Sequence, residues 1–135
     1  MKPLAVPPDV EHVVVDYLSA ALLARGQDVT CAPTVPATWA PGTKAHVQVG
    51  HDGTPEVIYP IIDRASIRIT VWATTTTAAK ALAALAQGLM LSHPGSPEVG
   101  SVRPLTGVLP TRDPDTGAAL ASVSVQVNLR YTALA

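Results

Sequence analysis

A segment near the end of the chain, ASVSVQVNLRY at Ala121–Tyr131, alternates strictly between apolar and polar side chains. Successive side chains of a β-strand point to opposite faces, so this period predicts a strand with one buried face. The buried side would carry Val123, Val125, Val127, Leu129 and Tyr131. The polar side would carry Ser122, Ser124, Gln126, Asn128 and Arg130. We therefore expect a sheet that packs one face on a core and leaves the other face polar.

Other segments show the same period less regularly. Ala65–Ala73 alternates, with Ile67, Ile69, Val71 and Ala73 on one side. Lys44–Gly50 also alternates, and the turn residues HDGTP follow it, which predicts a hairpin with Glu56–Ile62. Pro60 would keep that second strand at an edge or a bulge. Weaker candidates are a first strand at Val29–Val35 and an irregular strand at Val102–Leu109, with a loop at Ser96–Ser101 before it. Thr111–Gly117 (TRDPDTG) is a strong turn signal, because Pro fixes φ and Gly allows a positive φ.

Two segments have the period of a helix. Asp9–Arg25 is one, with a predicted apolar stripe of Val10, Val13, Val14, Tyr17 and Ala21. Thr74–Leu91 is the other, with a predicted core stripe of Ala78, Leu82, Leu85 and Leu89. The order of elements predicts one domain over residues 1–135 of the α+β class. We expect a mainly antiparallel sheet of four to six strands with two helices packed on one face.

Charge and cysteine content argue against a dedicated nucleic-acid-binding protein and against a disulfide-linked one. The chain has 9 basic and 10 acidic residues, scattered along its length, and no run of Lys or Arg that would hold phosphates. The single cysteine, Cys31, predicts a small buried side chain of a cytosolic protein. Ala78–Leu91 is too short to span a bilayer, so no membrane association is expected.

No pattern of catalytic or metal-binding residues stands out. The threonine run at 74–77 leads into a helix, but it lacks the glycine that a phosphate-binding loop needs, so we interpret it as a joint with an N-cap. His46 and His51 are separated by a turn and have no Cys or carboxylate cluster beside them. Asp113 and Asp115 suit a tight turn better than a cation site. The sequence predicts neither an enzyme nor a bound cofactor or metal.

The predicted surfaces are more informative. Charged residues make up only 14% of the chain, and a surface short of charge tends to be covered, often by copies of the same protein. Trp72 and Arg68 lie on the polar side of their strand, and both residue types are enriched in interface anchors. Alternatively, Trp72 is covered by the proline-rich loop Thr34–Gly42, which holds Trp39. The face of the second helix opposite its core stripe carries few polar residues. We include two of them, Lys80 and Gln87, in the candidate subunit interface.

The combination resembles a known family. An N-terminal helix, a hairpin, the strand SIRITVWA, an alanine-leucine helix and the turn RDPDTG before a long closing strand are similar to the tail terminator proteins of long-tailed bacteriophages. The alanine- and threonine-rich style resembles phages of actinobacteria. The resemblance covers about Val10 to Tyr131 and depends on element order. The segment Thr34–Gly42 has no place in the family pattern.

The resemblance implies a structural protein of the virion neck, assembled in the host cytoplasm. It would form a homo-oligomeric, usually hexameric ring that caps the tail tube and joins it to the head–tail connector or stopper protein, and DNA would pass transiently through the lumen. The polar row Ser122, Ser124, Gln126, Asn128 and Arg130 would then face a neighbouring subunit or the lumen. Alternatives are another head–tail connector or neck protein, a small-molecule binding module that uses the polar face and the histidines, or a monomeric adaptor.

Overall fold

The computed structural model describes residues 2–134 and contains two helices and eight strands in that range. The helices are α1 (Val10–Ala24) and α2 (Thr76–Leu91). The strands are β1 (Ala5–Val6), β2 (Thr30–Ala32), β3 (His46–His51), β4 (Glu56–Ile58), β5 (Ile62–Ala73), β6 (Val99–Arg112), β7 (Ala119–Arg130) and β8 (Thr132–Ala133).

Six of these strands form one sheet in the order β2-β3-β5-β7-β6, and β4 also pairs with β5. The β2–β3 pair is parallel and the other pairs of this sheet are antiparallel. Both helices pack on one face of the sheet, in a single hydrophobic core. The predicted α+β class and the placement of the helices are therefore confirmed.

The centre of the sheet is the pairing of β5 with β7, which runs over the full length of both strands from Ile62↔Arg130 to Ala73↔Ala119. Alternate residues of each strand are buried under the helices. The buried set includes Ile67, Ile69, Val71, Val123, Val125, Val127 and Leu129, as predicted. Tyr131 lies beyond the end of β7 and is half-buried. The period-two pattern thus identified the core side of both strands.

Helix α1 begins after Asp9, whose side chain accepts a hydrogen bond from the His12 amide, and ends before Gly26, where φ is positive. Its buried residues are Val10, Val14, Leu18 and Leu22. The predicted stripe was therefore wrong in part, since Val13, Tyr17 and Ala21 are only half-buried. The stripe that contains the two large leucines removes more apolar surface from water.

Helix α2 begins after Thr75, whose hydroxyl accepts a hydrogen bond from the Ala78 amide at 3.2 Å. The threonine run is therefore a capped joint, as predicted. The buried residues of α2 are Ala79, Leu82, Ala83, Ala86 and Met90, whereas Ala78 is exposed and Leu85 and Leu89 are half-buried. The predicted stripe was again rotated. Small alanine side chains allow the helix to approach β5 and β7 closely, which pattern reading by hydrophobicity alone does not anticipate.

The predicted hairpin between Lys44–Gly50 and Glu56–Ile62 is wrong. Strand β4 pairs with the start of β5, with Glu56 opposite Arg64 and Ile58 opposite Ile62. The amide of Ile61 donates to the carbonyl of Ile58 at 2.7 Å and closes the turn between them. Strand β3 pairs with the later part of β5 instead. The charged pair Asp63–Arg64 concealed the start of β5, which was predicted at Ala65.

Strand β6 is longer than predicted, because it begins at Val99, within the segment predicted as a loop. It carries Pro104 and Pro110 and three register shifts against β7. These irregularities explain its weak sequence pattern. The turn after it was predicted correctly: the Asp113 carboxylate accepts hydrogen bonds from the amide and hydroxyl of Thr116, and Gly117 has positive φ.

Candidate interaction surfaces

The face of the sheet opposite the helices is the outer face, and the structure places the predicted polar row on it. Register puts Ser122, Ser124, Gln126 and Asn128 of β7 beside Thr70, Arg68, Ser66 and Arg64 of β5. On the other side, β6 contributes Leu109, Thr106, Arg103 and Ser101. Arg68 and Trp72 therefore lie on the same surface as the polar row. Arg130 folds back at the end of β7, and its guanidinium donates to the carbonyls of Ser96 and Val99.

The polar row is internally hydrogen-bonded. Gln126 Nε2 donates to Asn128 Oδ1 at 2.9 Å, and Asn128 Nδ2 donates to Ser101 Oγ at 2.7 Å. The hydroxyls of Thr70 and Ser122 are 3.4 Å apart. Hydrogen bonds thus hold Ser122, Gln126 and Asn128 in place, and the row from Ser122 to Asn128 presents uncharged groups.

Arg68 is exposed and is bound within the chain. Its Nε and Nη2 atoms each lie 3.0 Å from Asp52 Oδ2. Together with Gln48, Gly50 and Thr70 the pair lines a shallow cavity of about 220 Å³ on the outer face. Asp52 neutralises the arginine, so this cavity offers little net charge to an anion.

Trp72 is half-buried, and the proline-rich segment lies against it. The Trp39 ring packs on Trp72 edge-to-face, with 5.9 Å between centroids, and Trp72 Nε1 donates to Gln48 Oε1 at 3.2 Å. The amide of Gly42 donates to Thr74 Oγ1, which ties the segment to the end of β5. The structure thus shows the second interpretation of Trp72, cover by its own loop. A role of Trp72 in a subunit contact stays a prediction.

His46 fastens the other end of this segment. Its Nε2 atom lies 2.7 Å from the carbonyl of Thr34, and its Nδ1 atom lies 2.6 Å from the Thr30 hydroxyl. A carbonyl only accepts, so Nε2 carries the hydrogen and Nδ1 accepts from Thr30. The ring is buried and neutral. Burial lowers the pKa of His46, and the Thr34 carbonyl opposes that shift.

This arrangement predicts a loss of stability in acid. The pKa of His46 and that of His93 are lowered by burial in the folded chain, so the unfolded chain binds protons at higher pH. The stabilisation is complete above the ordinary pKa of 6.5 and declines as the pH falls below it. The free energy of unfolding, measured by chemical denaturation between pH 8 and pH 5, should decrease as the pH falls. His46→Gln should make this decrease shallower. His93→Gln serves as the second, additive variant, and an unchanged slope in His46→Gln would contradict the assignment.

Lys80 and Gln87 are not part of the outer face. Both lie on α2, which packs on the opposite side of the sheet. Lys80 is exposed, whereas Gln87 donates through Nε2 to the carbonyl of Thr106 at 2.7 Å. The four residues of the candidate interface therefore occupy two separate surfaces, because the sheet stands between β5 and α2.

A third surface was not predicted. Strand β1 pairs with β8, and the Tyr59 hydroxyl, at the β4–β5 turn, donates to the Pro3 carbonyl and accepts from the Ala5 amide. These contacts gather an exposed apolar set that we call the terminal patch: Leu4, Val6, Val57, Ile58, Ile61 and Leu134. Neither β1 nor β8 has a strand pattern long enough to detect from sequence.

A buried carboxylate lies at the base of the terminal patch. Asp63 is 7% exposed, and its Oδ1 atom has no hydrogen-bond partner within residues 2–134. Partial burial raises the pKa of the nearby Tyr131 hydroxyl, and the charge of Asp63 raises it further, followed by Tyr59. The sequence carried a readable signal here, because Asp63 falls at the buried parity of β5, two residues before Ala65.

The histidines and acidic residues form no metal centre in the part of the chain described. Within residues 2–134 no group of three or more His, Cys, Asp or Glu side chains is placed to hold a metal ion. A groove of about 370 Å³ beside α1 is lined by His12, Asp16, Tyr17, His93 and Glu98, among others. His12 and Asp16 are paired at 3.1 Å and remain largely in solvent. Cys31 is half-buried, and burial raises the pKa of its thiol.

No helix within residues 2–134 is both long enough and apolar enough to cross a membrane. Neither a scan against protein-family models nor a search of curated proteins found a match to this chain.

Proposed function

We propose that this chain is a structural virion protein that assembles into a homo-oligomeric ring at the neck of a long-tailed bacteriophage. In that position it would cap the tail tube and join it to the head connector or stopper protein. The observation that carries the proposal is the presence of exposed apolar surfaces on opposite edges of one sheet. The resemblance of the sequence to tail terminator proteins supplies the biological setting.

The two edges differ in their surfaces. Strand β4, with Val57 and Ile58, lies on the edge of β5 away from β7, and the terminal patch extends from it. Strand β6 forms the opposite edge, where Leu105 and Leu109 are 48% and 67% exposed. Two different surfaces on opposite edges favour a head-to-tail contact between copies, and such contacts close into rings when the rotation permits.

Backbone pairing between copies along β6 is not expected. Pro104 and Pro110 lack amide hydrogens, and the register shifts twist the edge, which are features that limit strand addition. A subunit contact at β6 would therefore be made by side chains. Such an edge disfavours the open-ended growth of a β-sheet from copy to copy.

The outer face suits the wall of the ring's lumen or a contact with a neighbouring subunit. Its central row is uncharged, and two of the arginines that flank the row are paired with carboxylates, Arg64 with Glu56 and Arg68 with Asp52, so the face offers the phosphates of a DNA duplex little net positive charge. The alternative neck proteins share these requirements. They differ from a tail terminator in whether the ring binds the tail tube or only the connector.

The mass of the purified chain in solution tests the proposal. Light scattering over a range of concentrations, with and without isolated tail tubes, should show a discrete oligomer, and negative-stain images should show rings at tube ends. A chain that stays monomeric at high concentration and also fails to associate with tail tubes would overturn the proposal.

The polar row gives a second test. Ser124→Lys with Gln126→Lys should leave the fold intact, because both side chains are on the outer face, but it should impair assembly or DNA passage. The thermal melt should match the parent, while rings on tails or infectivity should fall at least about tenfold, since added cations bind phosphates or repel a neighbour. Ala20→Lys with Ala24→Lys, two exposed positions of α1, adds the same charge away from the outer face and is the control. Parental infectivity of the double variant would remove this face from both roles.

A further inference from the structure

The two buried side-chain polar atoms that have no hydrogen-bond partner within residues 2–134 belong to successive residues, whose side chains point to opposite faces of the sheet. They are Asp63 Oδ1 and Arg64 Nε, at the start of β5. Another nitrogen of the Arg64 guanidinium, Nη1, does form an ion pair, because it lies 3.3 Å from Glu56 Oε1. Asp63 has no ion pair of this kind in the same range. A buried carboxylate oxygen without a donor is destabilising, so Asp63 Oδ1 requires an explanation.

The surroundings of Asp63 describe what would fit there. In the sheet, Asp63 lies opposite Leu129 of β7 and Val57 of β4, and both of these residues are apolar. The terminal patch continues this apolar surface, with Ile61 63% exposed. A suitable occupant carries exposed apolar side chains and one cationic donor that can reach a recessed carboxylate.

The chain itself supplies such an occupant. Four basic side chains form neither an ion pair nor a hydrogen bond within residues 2–134: Lys2, Arg25, Lys80 and Arg103. Lys2 adjoins the terminal patch in sequence, and Arg25 and Lys80 belong to the helices. Only Arg103 lies on the open edge of β6, on the same strand as the exposed Leu105 and Leu109. A guanidinium also matches a carboxylate with two parallel donors.

We propose that Arg103 of one copy binds the Asp63 carboxylate of the next copy, while Leu105 and Leu109 pack on the terminal patch. This inference rests on the self-assembly proposed above and specifies its contact. The contact joins opposite edges of the sheet, so it is head-to-tail and repeats around a ring. It gives Asp63 Oδ1 a donor and covers the apolar side chains that a single copy leaves in water.

The dissociation constant of the oligomer tests the pairing of Arg103 with Asp63. Arg103→Glu should raise the dissociation constant of the oligomer at least about thirtyfold, because one partner of a desolvated charge pair is replaced by a repelling group. Arg25→Glu makes the same charge change on an exposed arginine outside the contact and should stay within about twofold of the parent. Arg103 is exposed, so its substitution should leave the thermal melt of the subunit unchanged.

Asp63→Asn tests the other side of the contact. The isolated subunit should melt at the same or a higher temperature, because a buried charge without a partner is removed, yet the oligomer should weaken about thirtyfold. The combination of Asp63→Asn with Arg103→Gln should be no weaker than either single variant, since both remove the same interaction.

The outcomes separate the two proposals. Coupled losses at Asp63 and Arg103, with a parental Arg25→Glu oligomer, support the contact. A parental chain that forms a stable oligomer unaffected by Arg103→Glu, or losses at the two positions that simply add, overturns this contact and leaves the ring proposal standing. A parental chain that is monomeric under all conditions overturns both.

Discussion

Replacing Val125 by aspartate should leave no folded, soluble protein. Val125 is 0% exposed at the centre of β7, opposite Ile67 of β5 and beneath the helices. An aspartate there would bury a charge without a partner, at a cost of several kcal/mol that approaches the about 5–15 kcal/mol of total stability expected for a domain of this kind. Soluble yield and far-ultraviolet circular dichroism measure the effect.

The adjacent residue provides the matched control. Ser124 has the opposite orientation in the same strand and faces Arg68 across the outer face. Ser124→Asp therefore adds the same charge without burying it, and the protein should remain folded with a cooperative melt. A well-folded Val125→Asp protein would mean that the core does not lie on this side of β7.

Shortening Leu18 to alanine should cost about 2–5 kcal/mol of the free energy of unfolding, which is the range for removing a large buried side chain from a packed core. Leu18 is 0% exposed, and it lies between Val14 and Leu22 in the buried stripe of α1. The control is in the same helix. Leu23 is 75% exposed, so Leu23→Ala should change the free energy by no more than about 0.5 kcal/mol.

Denaturant titration followed by circular dichroism distinguishes these two variants. The prediction discriminates between the stripe observed in the structure and the stripe predicted from sequence, which contained Val13, Tyr17 and Ala21 rather than Leu18. Equal costs at Leu18 and Leu23 would contradict the observed orientation of α1.

The strands that alternate cleanly could be assigned from sequence because their pattern is local. In β7 the buried valines and the polar row were both predicted correctly, since side chains of a strand alternate whatever the strand pairs with. The joint at Thr75 was also predictable, because a threonine hydroxyl caps the helix by bonding an amide only three residues away.

The partners of those strands were decided by tertiary structure. Turn residues between β3 and β4 suggested a hairpin, but β4 pairs with β5, and β3 takes the next stretch of the same strand. The buried sides of α1 and α2 were likewise rotated from the predicted stripes. A helix of alanines, leucines and valines has several apolar stripes, and the shape of the sheet selects one of them.

The candidate interaction surfaces were likewise determined partly by local sequence and partly by tertiary structure. Sequence alone placed Arg68 and Trp72 on the polar side of one strand and the polar row on the polar side of another, because parity along a strand determines which of its side chains share a face. The pairing of β5 with β7 brought both sets onto one surface. Sequence alone could not determine that the Trp39 segment covers Trp72, or that β1, β8 and the β4–β5 turn gather around Asp63. Those positions are brought together by pairings between residues far apart in the chain, such as Ala5 with Ala133. Local periodicity contains no information about such pairings, so only the folded chain could reveal the terminal patch.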